Sequence, residues 1–169
     1  YAYFERVIAD RRTNPQDDMV TYLTRVAFDG RHLTPNEILD ICYLLLLGGL
    51  DTVTSTLGCS VAFLAANPTH RRRLATGGPE VVNHAIEELL RWETPVTMVP
   101  RVLKQDVTIG ETTLCSGDLV NLLIGAANLD EREFQDAMQV DFDRERNRHV
   151  AFGAGPHRCL GSHLARMEL

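Results

Sequence analysis

Apolar positions recur at helical spacing over residues 1–12 and again over 17–28. The intervening TNPQD, with Pro15, predicts a turn between two helices. A longer pattern follows GRHLTPNEILD. Thr34 is placed as N-cap, Pro35 at the first helical position, and Glu37 to complete a capping box, so a helix is predicted from there to Asn67–Pro68. About 32 residues at 1.5 Å each make roughly 48 Å, longer than a typical globular helix. Its apolar block, ICYLLLLGGL, gives way to Asp51, Thr52, Thr54, Ser55 and Thr56. A membrane span needs about 20 apolar residues, so the pattern predicts a buried central helix and no span. Pro68 opens a third helix carrying Arg71, Arg72 and Arg73. GGP at 77–79 breaks the chain, and Pro79 starts a helix running to about Glu93. VTMV, DVTIG and DLVNLLI predict strands between 96 and 124, with turns at Gly110 and Gly117. Residues 125–151 read as irregular chain with short turns, and a last helix starts at or just after Cys159. The expected fold is mainly α with a small β portion, in one domain over 1–169.

Composition narrows the class. A hydrophobic fraction of 44% over 169 residues is that of a globular domain, and a net charge of −6 argues against nucleic acid as the main partner. Cys42, Cys59, Cys115 and Cys159 form no CxxC pair, as expected of reduced cysteines in an intracellular protein. The chain opens in mid-helix pattern, YAYFERVIADRR, and closes in SHLARMEL while a helix is running. Both ends are expected to continue in a longer chain.

Three constellations carry chemistry. GGLDT, Gly48 to Thr52, sits at the middle of the long helix. Each interior glycine costs about 1 kcal/mol relative to alanine, and a pair invites distortion. Thr52 is placed to back-bond to the Gly48 carbonyl, opening a notch beside a hydroxyl and a carboxylate. Close helix packing explains the glycines equally well. In EELLR, Glu88 and Arg91 stand three apart on one helix face. In FGAGPHRCLG, Gly153, Gly155 and Gly161 let backbone N–H groups converge, and the following helix aims its positive end at Cys159. Both effects favour a thiolate, as a nucleophile with a histidine base or as a metal ligand. With Phe152 beside it, the sulfur suits a metal inside a large apolar cofactor.

FGAGPHRCLG resembles the haem-binding signature of the cytochrome P-450 family, FGxGxHxCxG in its bacterial form, with all six fixed positions matched. GGLDT resembles the family's oxygen-activating segment and EELLR its ExxR helix. FDRER resembles the segment that supplies the arginine of a Glu–Arg–Arg cluster, and PVTMVPR the segment that lines the pocket and ends in a propionate-binding arginine. LLLLGGLDTV, LDERE and CLGSHLAR are similar to the soluble bacterial group that includes camphor-hydroxylating enzymes. The resemblance covers the whole chain as the C-terminal half of the family's fold, one domain incomplete at both ends. It implies haem b (iron protoporphyrin IX), with Cys159 as the axial iron ligand and Phe152 and Gly161 beside it. It implies Arg101 and His157 on the propionates, and Asp51 and Thr52 in proton delivery. Gly48, Val96, Thr97 and Met98 would line the substrate pocket, and Glu88, Arg91 and Arg144 form a structural cluster. The implied activity is a cytoplasmic monooxygenase that inserts one atom of O2 into an apolar small molecule, with a slight tilt to terpenoids and with fatty acids, alkanes, steroids and macrolides open. Electrons would come from a ferredoxin with its NAD(P)H-dependent reductase, docking near Arg72, Arg73 and Arg158. Rival expectations are a peroxide-using enzyme, which the Asp51–Thr52 pair counts against, a non-catalytic haem carrier, or an inert fragment.

Overall fold

A computed structural model describes residues 1–169, which form two compact units, Tyr1–Asp51 and Thr52–Leu169. In the first, α1 (Ala2–Thr13) packs on α2 (Met19–Arg25). Asp18 caps α2 by accepting from the Thr21 N–H at 2.8 Å, and the Arg11 guanidinium holds that carboxylate at 2.6 Å. The helix predicted over 17–28 stops at Arg25. Asp29 and Gly30, at φ 49° and 77°, make a two-residue turn that pairs β1 (Ala27–Phe28) with β2 (Arg31–His32) in an antiparallel hairpin. Asp-Gly is the turn chemistry that hairpin needs, and it overrides the helical pattern.

The capping box is present. The Glu37 N–H donates to Thr34 Oγ1 at 3.3 Å, and Glu37 Oε2 accepts from the Thr34 N–H at 2.7 Å. From it α3 runs unbroken over Pro35–Ala66, so the glycine pair does not interrupt the helix. Ile38, Leu39 and Cys42 of its first turns are buried with Ile8 and Leu23. Farther along, Leu44, Leu46, Leu47 and Leu50 are 47–59% exposed. The expected buried central helix is therefore exposed along its leucine-rich middle, while its first turns, Thr56 and the packed Phe63 and Leu64 near its end are covered. By length and mean hydropathy (1.5) α3 also reaches the range of membrane-crossing helices, a test that core helices of soluble proteins pass too.

The second unit contains the rest of α3, then α4 (Pro68–Thr76) and α5 (Pro79–Trp92). A Cβ on Gly77 would lie 2.7 Å from the Val81 Cβ, so only glycine allows this tight joint between α4 and α5. Phe142, Ala85 and Leu89 centre the core, with Phe63, Leu64, Leu74 and Val140 packed around them. Strands β3 (Val99–Val102) and β6 (Leu119–Leu122) pair antiparallel, as do β4 (Val107–Ile109) and β5 (Thr112–Leu114). Val96, Thr97 and Met98 precede β3 rather than joining it, because the Thr97 carbonyl bonds the Gly125 N–H at 3.0 Å. Residues 125–151 are irregular as expected, except that a short helix, α6 (Ile124–Asn128), leads into them. The chain closes with a 3-10 turn at Gly155–His157 and α7 (Ser162–Glu168).

Candidate functional site

The loop around Cys159 is built from backbone. Gly153 and Gly155 adopt φ 67° and 66°, the left-handed region that other residues avoid. The resulting reversal lets the Cys159 N–H donate to the Phe152 carbonyl at 2.8 Å and the Gly153 N–H to the Val150 carbonyl at 2.8 Å. Two sequence expectations change here. Gly161 has φ −85° and serves as N-cap of α7, so it is not a third left-handed residue. Helix α7 begins at Ser162, three residues past the cysteine. The presentation of the sulfur therefore rests on the loop more than on a helix dipole. All four cysteines are free; Cys159 is exposed, whereas Cys42 is buried. Burial pushes the Cys42 thiol up, and burial followed by the neighbouring Glu93 does the same to Cys59. Neither is poised as a thiolate.

Behind the loop lies a charged core. Glu88 and Arg91, both 0% exposed, are paired through two bonds, Nε–H to Oε2 at 2.9 Å and Nη2–H to Oε1 at 2.7 Å. Arg144 Nε donates to Glu88 Oε2 at 3.0 Å, so the three expected residues do meet. Burial alone would raise the Glu88 carboxyl. Bonds from Arg91, the Asp141 N–H and Arg144 outweigh it and hold Glu88 below the ordinary carboxylate value. The remaining donors of Arg91 reach the carbonyls of Asn128, Ala137 and Gln139, and Arg144 reaches that of Gln135.

The other expected residues are distributed as follows. Asp51 and Gly48 are exposed on α3, and Thr52 is half-buried. The Thr52 carbonyl accepts from Thr56 Oγ1 at 2.8 Å. Arg101 is exposed on β3, its guanidinium bonded to the Pro100 carbonyl. His157 is exposed at the end of the 3-10 turn, and Phe152 is half-buried. Thr97 and Met98 line a cavity of about 530 Å³ together with Ser55, Cys59, Trp92 and Leu123, whereas Val96 is absent from its lining. Of the three arginines expected to meet a redox partner, Arg73 is ion-paired with Asp143, while Arg72 and Arg158 are exposed.

These residues suit a haem-thiolate. No group of three or more His, Cys, Asp or Glu side chains gathers to hold a bare metal ion. A single exposed sulfur, by contrast, matches a metal that a cofactor already ligates on its other sides. Cationic Arg101 on β3 and His157 in the loop offer partners for carboxylates.

The family model described as Cytochrome P450 matches residues 79–169. The chain belongs to the cytochrome P450 family. It is 40% identical over 172 residues to the mycinamicin IV hydroxylase/epoxidase of Micromonospora griseorubida, covering 100% of this chain and 43% of that protein. It is likewise 40% identical over 162 residues to a steroid C26-monooxygenase of Mycobacterium tuberculosis, covering 96% and 43%. Among solved structures, the Bacillus megaterium protein CYP109E1 in complex with testosterone superposes with a TM-score of 0.92. That pair is 36% identical, covering 99% of this chain and 46% of the other. The chain thus spans less than half the length of the curated relatives it matches, and it shares the cytochrome P450 fold over that span. Members of the family bind haem b.

Two further groups in this cytochrome P450 chain escape sequence reasoning. Asn128, fully buried, donates from Nδ2 to Thr94 Oγ1 at 2.7 Å and accepts the Val150 N–H on Oδ1 at 2.7 Å. It thereby ties the end of α5 to the approach of the cysteine loop. Glu87, next to Glu88, takes Arg166 of α7 in a two-pronged pair at 2.5 and 2.8 Å, and His149 Nε2 lies 2.9 Å from its Oε2. The Arg166 guanidinium stacks 4.4 Å from the Phe152 ring centroid. The doubled glutamate of EELLR and the arginine of SHLAR were visible in the sequence, but nothing in their spacing joins them.

Proposed function

We propose that this chain forms the cysteine-ligand half of a haem-dependent monooxygenase that oxidises an apolar small molecule. The observation that carries the reading is the exposed Cys159 on its glycine-reversed loop, closed by the bond from its own N–H to the Phe152 carbonyl. In the reaction class, one atom of O2 enters a C–H bond of the substrate. The other leaves as water, with two electrons and two protons consumed. Haem with a thiolate ligand, when bound, supplies the O2 activation and electron transfer.

The chain's own residues do the rest. Cys159 Sγ ligates, and Phe152 shields one side of the sulfur from water. Arg101 and His157 hold carboxylates of the cofactor by charge-assisted bonds. Thr52 Oγ1 holds a proton for delivery, and Asp51, one residue earlier on the same helix, restocks it from solvent. Gly48 leaves room on α3 for a ligand. Val96, Thr97 and Met98 offer apolar contact to a substrate, in keeping with the mycinamicin and steroid named for the relatives. Electrons arrive from a ferredoxin-type donor with its NAD(P)H-dependent reductase, docked near Arg72 and Arg158 and acting in the cytoplasm. Glu88, Arg91 and Arg144 are structural.

The test is spectroscopic. The full-length enzyme, reduced and exposed to CO, is expected to show the far red-shifted Soret band of a thiolate-ligated haem. Cys159→Ser abolishes that band, whereas Cys42→Ser, Cys59→Ser and Cys115→Ser keep it. A normal band in Cys159→Ser overturns the assignment.

A further inference from the structure

Glu87 faces away from the Glu88 cluster and into the cysteine loop. Two of its partners converge there. Arg166 grips both carboxylate oxygens, and His149 bonds Oε2. The tautomer of His149 follows from its other nitrogen. Nδ1 accepts the Ala151 N–H at 3.2 Å, so the proton sits on Nε2 and is donated to Glu87. The His149 side chain is 3% exposed, and its ring centroid lies 6.2 Å from that of Phe152. Phe152 therefore has His149 on one contact and the Arg166 guanidinium on another. Its carbonyl is the acceptor that closes the loop on Cys159. The chain of contacts runs Glu87, then Arg166 and His149, then Phe152, then the Cys159 N–H.

Charge follows the same path. The Arg166 guanidinium is pushed up, chiefly by its bond to Glu87 and in smaller part by the charge of the Cys159 sulfur. Burial by itself would raise the Glu87 carboxyl, but the bonds from Arg166 and His149 overcome it and bring it down to about 2. A formal cation thus packs on the ring of Phe152, the residue whose carbonyl closes the cysteine loop, and is paired there with a formal anion. An uncompensated arginine beside a sulfur ligand favours the electron-rich state of whatever the sulfur binds. The carboxylate cancels much of that field.

We propose that Glu87 is a positioning residue for the Cys159 loop, and that its pairing with Arg166 neutralises a cation that would otherwise draw electron density from the sulfur. The proposal rests on Cys159 being the iron ligand, as read above. It makes α5 the source of two separate supports. Glu88 anchors the irregular segment behind the site, and Glu87 sets the shape and charge of the loop itself.

The experiment compares Glu87→Gln, Arg166→Gln and the double variant in the full-length enzyme, by two measurements. The first is hydrogen exchange over Val150–Cys159, read with and without haem. All three variants are expected to exchange faster there, on the order of tenfold, and unchanged exchange overturns the positioning role. The second is the haem reduction potential. Glu87→Gln should raise it, Arg166→Gln should lower it, and the double variant should return it towards wild type. A merely structural contact would shift both single variants in the same direction and would not be repaired by the double. Shifts of equal sign, or none, with a wild-type thiolate Soret band overturn the inference alone. Absence of that band in the wild type overturns the ligand assignment beneath it. If a single variant fails to take up haem, its exchange rates in the haem-free protein still decide the positioning role.

Discussion

Thr52 bears the sharpest test of the proposed chemistry. Its half-buried side chain sits on a helix that stays regular through Gly48–Thr52, next to exposed Asp51, and the role proposed for the pair is to pass a proton inward from solvent. Thr52→Ala in the full-length enzyme is expected to keep haem and substrate binding almost unchanged. NADH and O2 are still consumed, but much of the reducing power emerges as hydrogen peroxide instead of product. Asp51→Asn is expected to slow turnover as a whole. The ratio of product to NADH consumed, with the peroxide yield, checks both. A wild-type ratio in Thr52→Ala returns GGLDT to a packing role. Single residues were legible in the sequence where their meaning is local. Cys159 stands out through neighbouring glycines, and Glu88 and Arg91 through a three-residue helical spacing. Arg166 and Glu87 were not legible, because they are 79 positions apart and their pairing exists only once α7 has docked.

Elements were readable in proportion to their punctuation. Thr34, Pro35 and Glu37 predicted the start of α3, and the capping bonds form as expected. The helix forecast over 17–28 failed because two residues at positive φ, Asp29 and Gly30, outweigh a helical apolar pattern. Helix α6 was missed because five residues are too few to show a period. The joint between α5, α7 and the cysteine loop carries a pH dependence. Folding brings the Glu87 carboxyl from an ordinary 4.5 to about 2, so the folded state favours its ionised form. Its contribution is complete above about pH 4.5 and fades as pH falls towards 2. Urea unfolding of the full-length enzyme between pH 6 and 2.5 is expected to show a steeper acid loss in wild type than in Glu87→Gln. Parallel curves for the two proteins would remove Glu87 from this role.

At the scale of the whole molecule, the leucine-rich middle of α3 dominates behaviour in solution. Leu44, Leu46, Leu47 and Leu50 stand 47–59% exposed on one element, and apolar surface of that kind promotes association. Expressed by itself, this 169-residue chain is expected to self-associate and to retain haem well below one equivalent. Gel filtration with detection at the Soret wavelength reads both properties together. A monomer carrying a full equivalent of haem contradicts the expectation. Neither length nor net charge foretold this exposure, because the helical pattern reports that a face is apolar without saying what covers it.

The carbonyls gathered by Arg91 and Arg144 also have a temporal meaning. Residues 129–150 have turns but no strand or helix of their own. Their shape is imposed by guanidinium bonds that span 37 to 56 positions, such as Arg91 to the Asn128 carbonyl and Arg144 to Glu88. Closing such loops is entropically costly until both ends are already ordered. The segment should therefore lock in after α5 has formed, on the native side of the rate-limiting barrier. Arg144→Ala would then speed unfolding while leaving the refolding rate of the full-length enzyme nearly untouched. In a chevron plot only the unfolding limb would move.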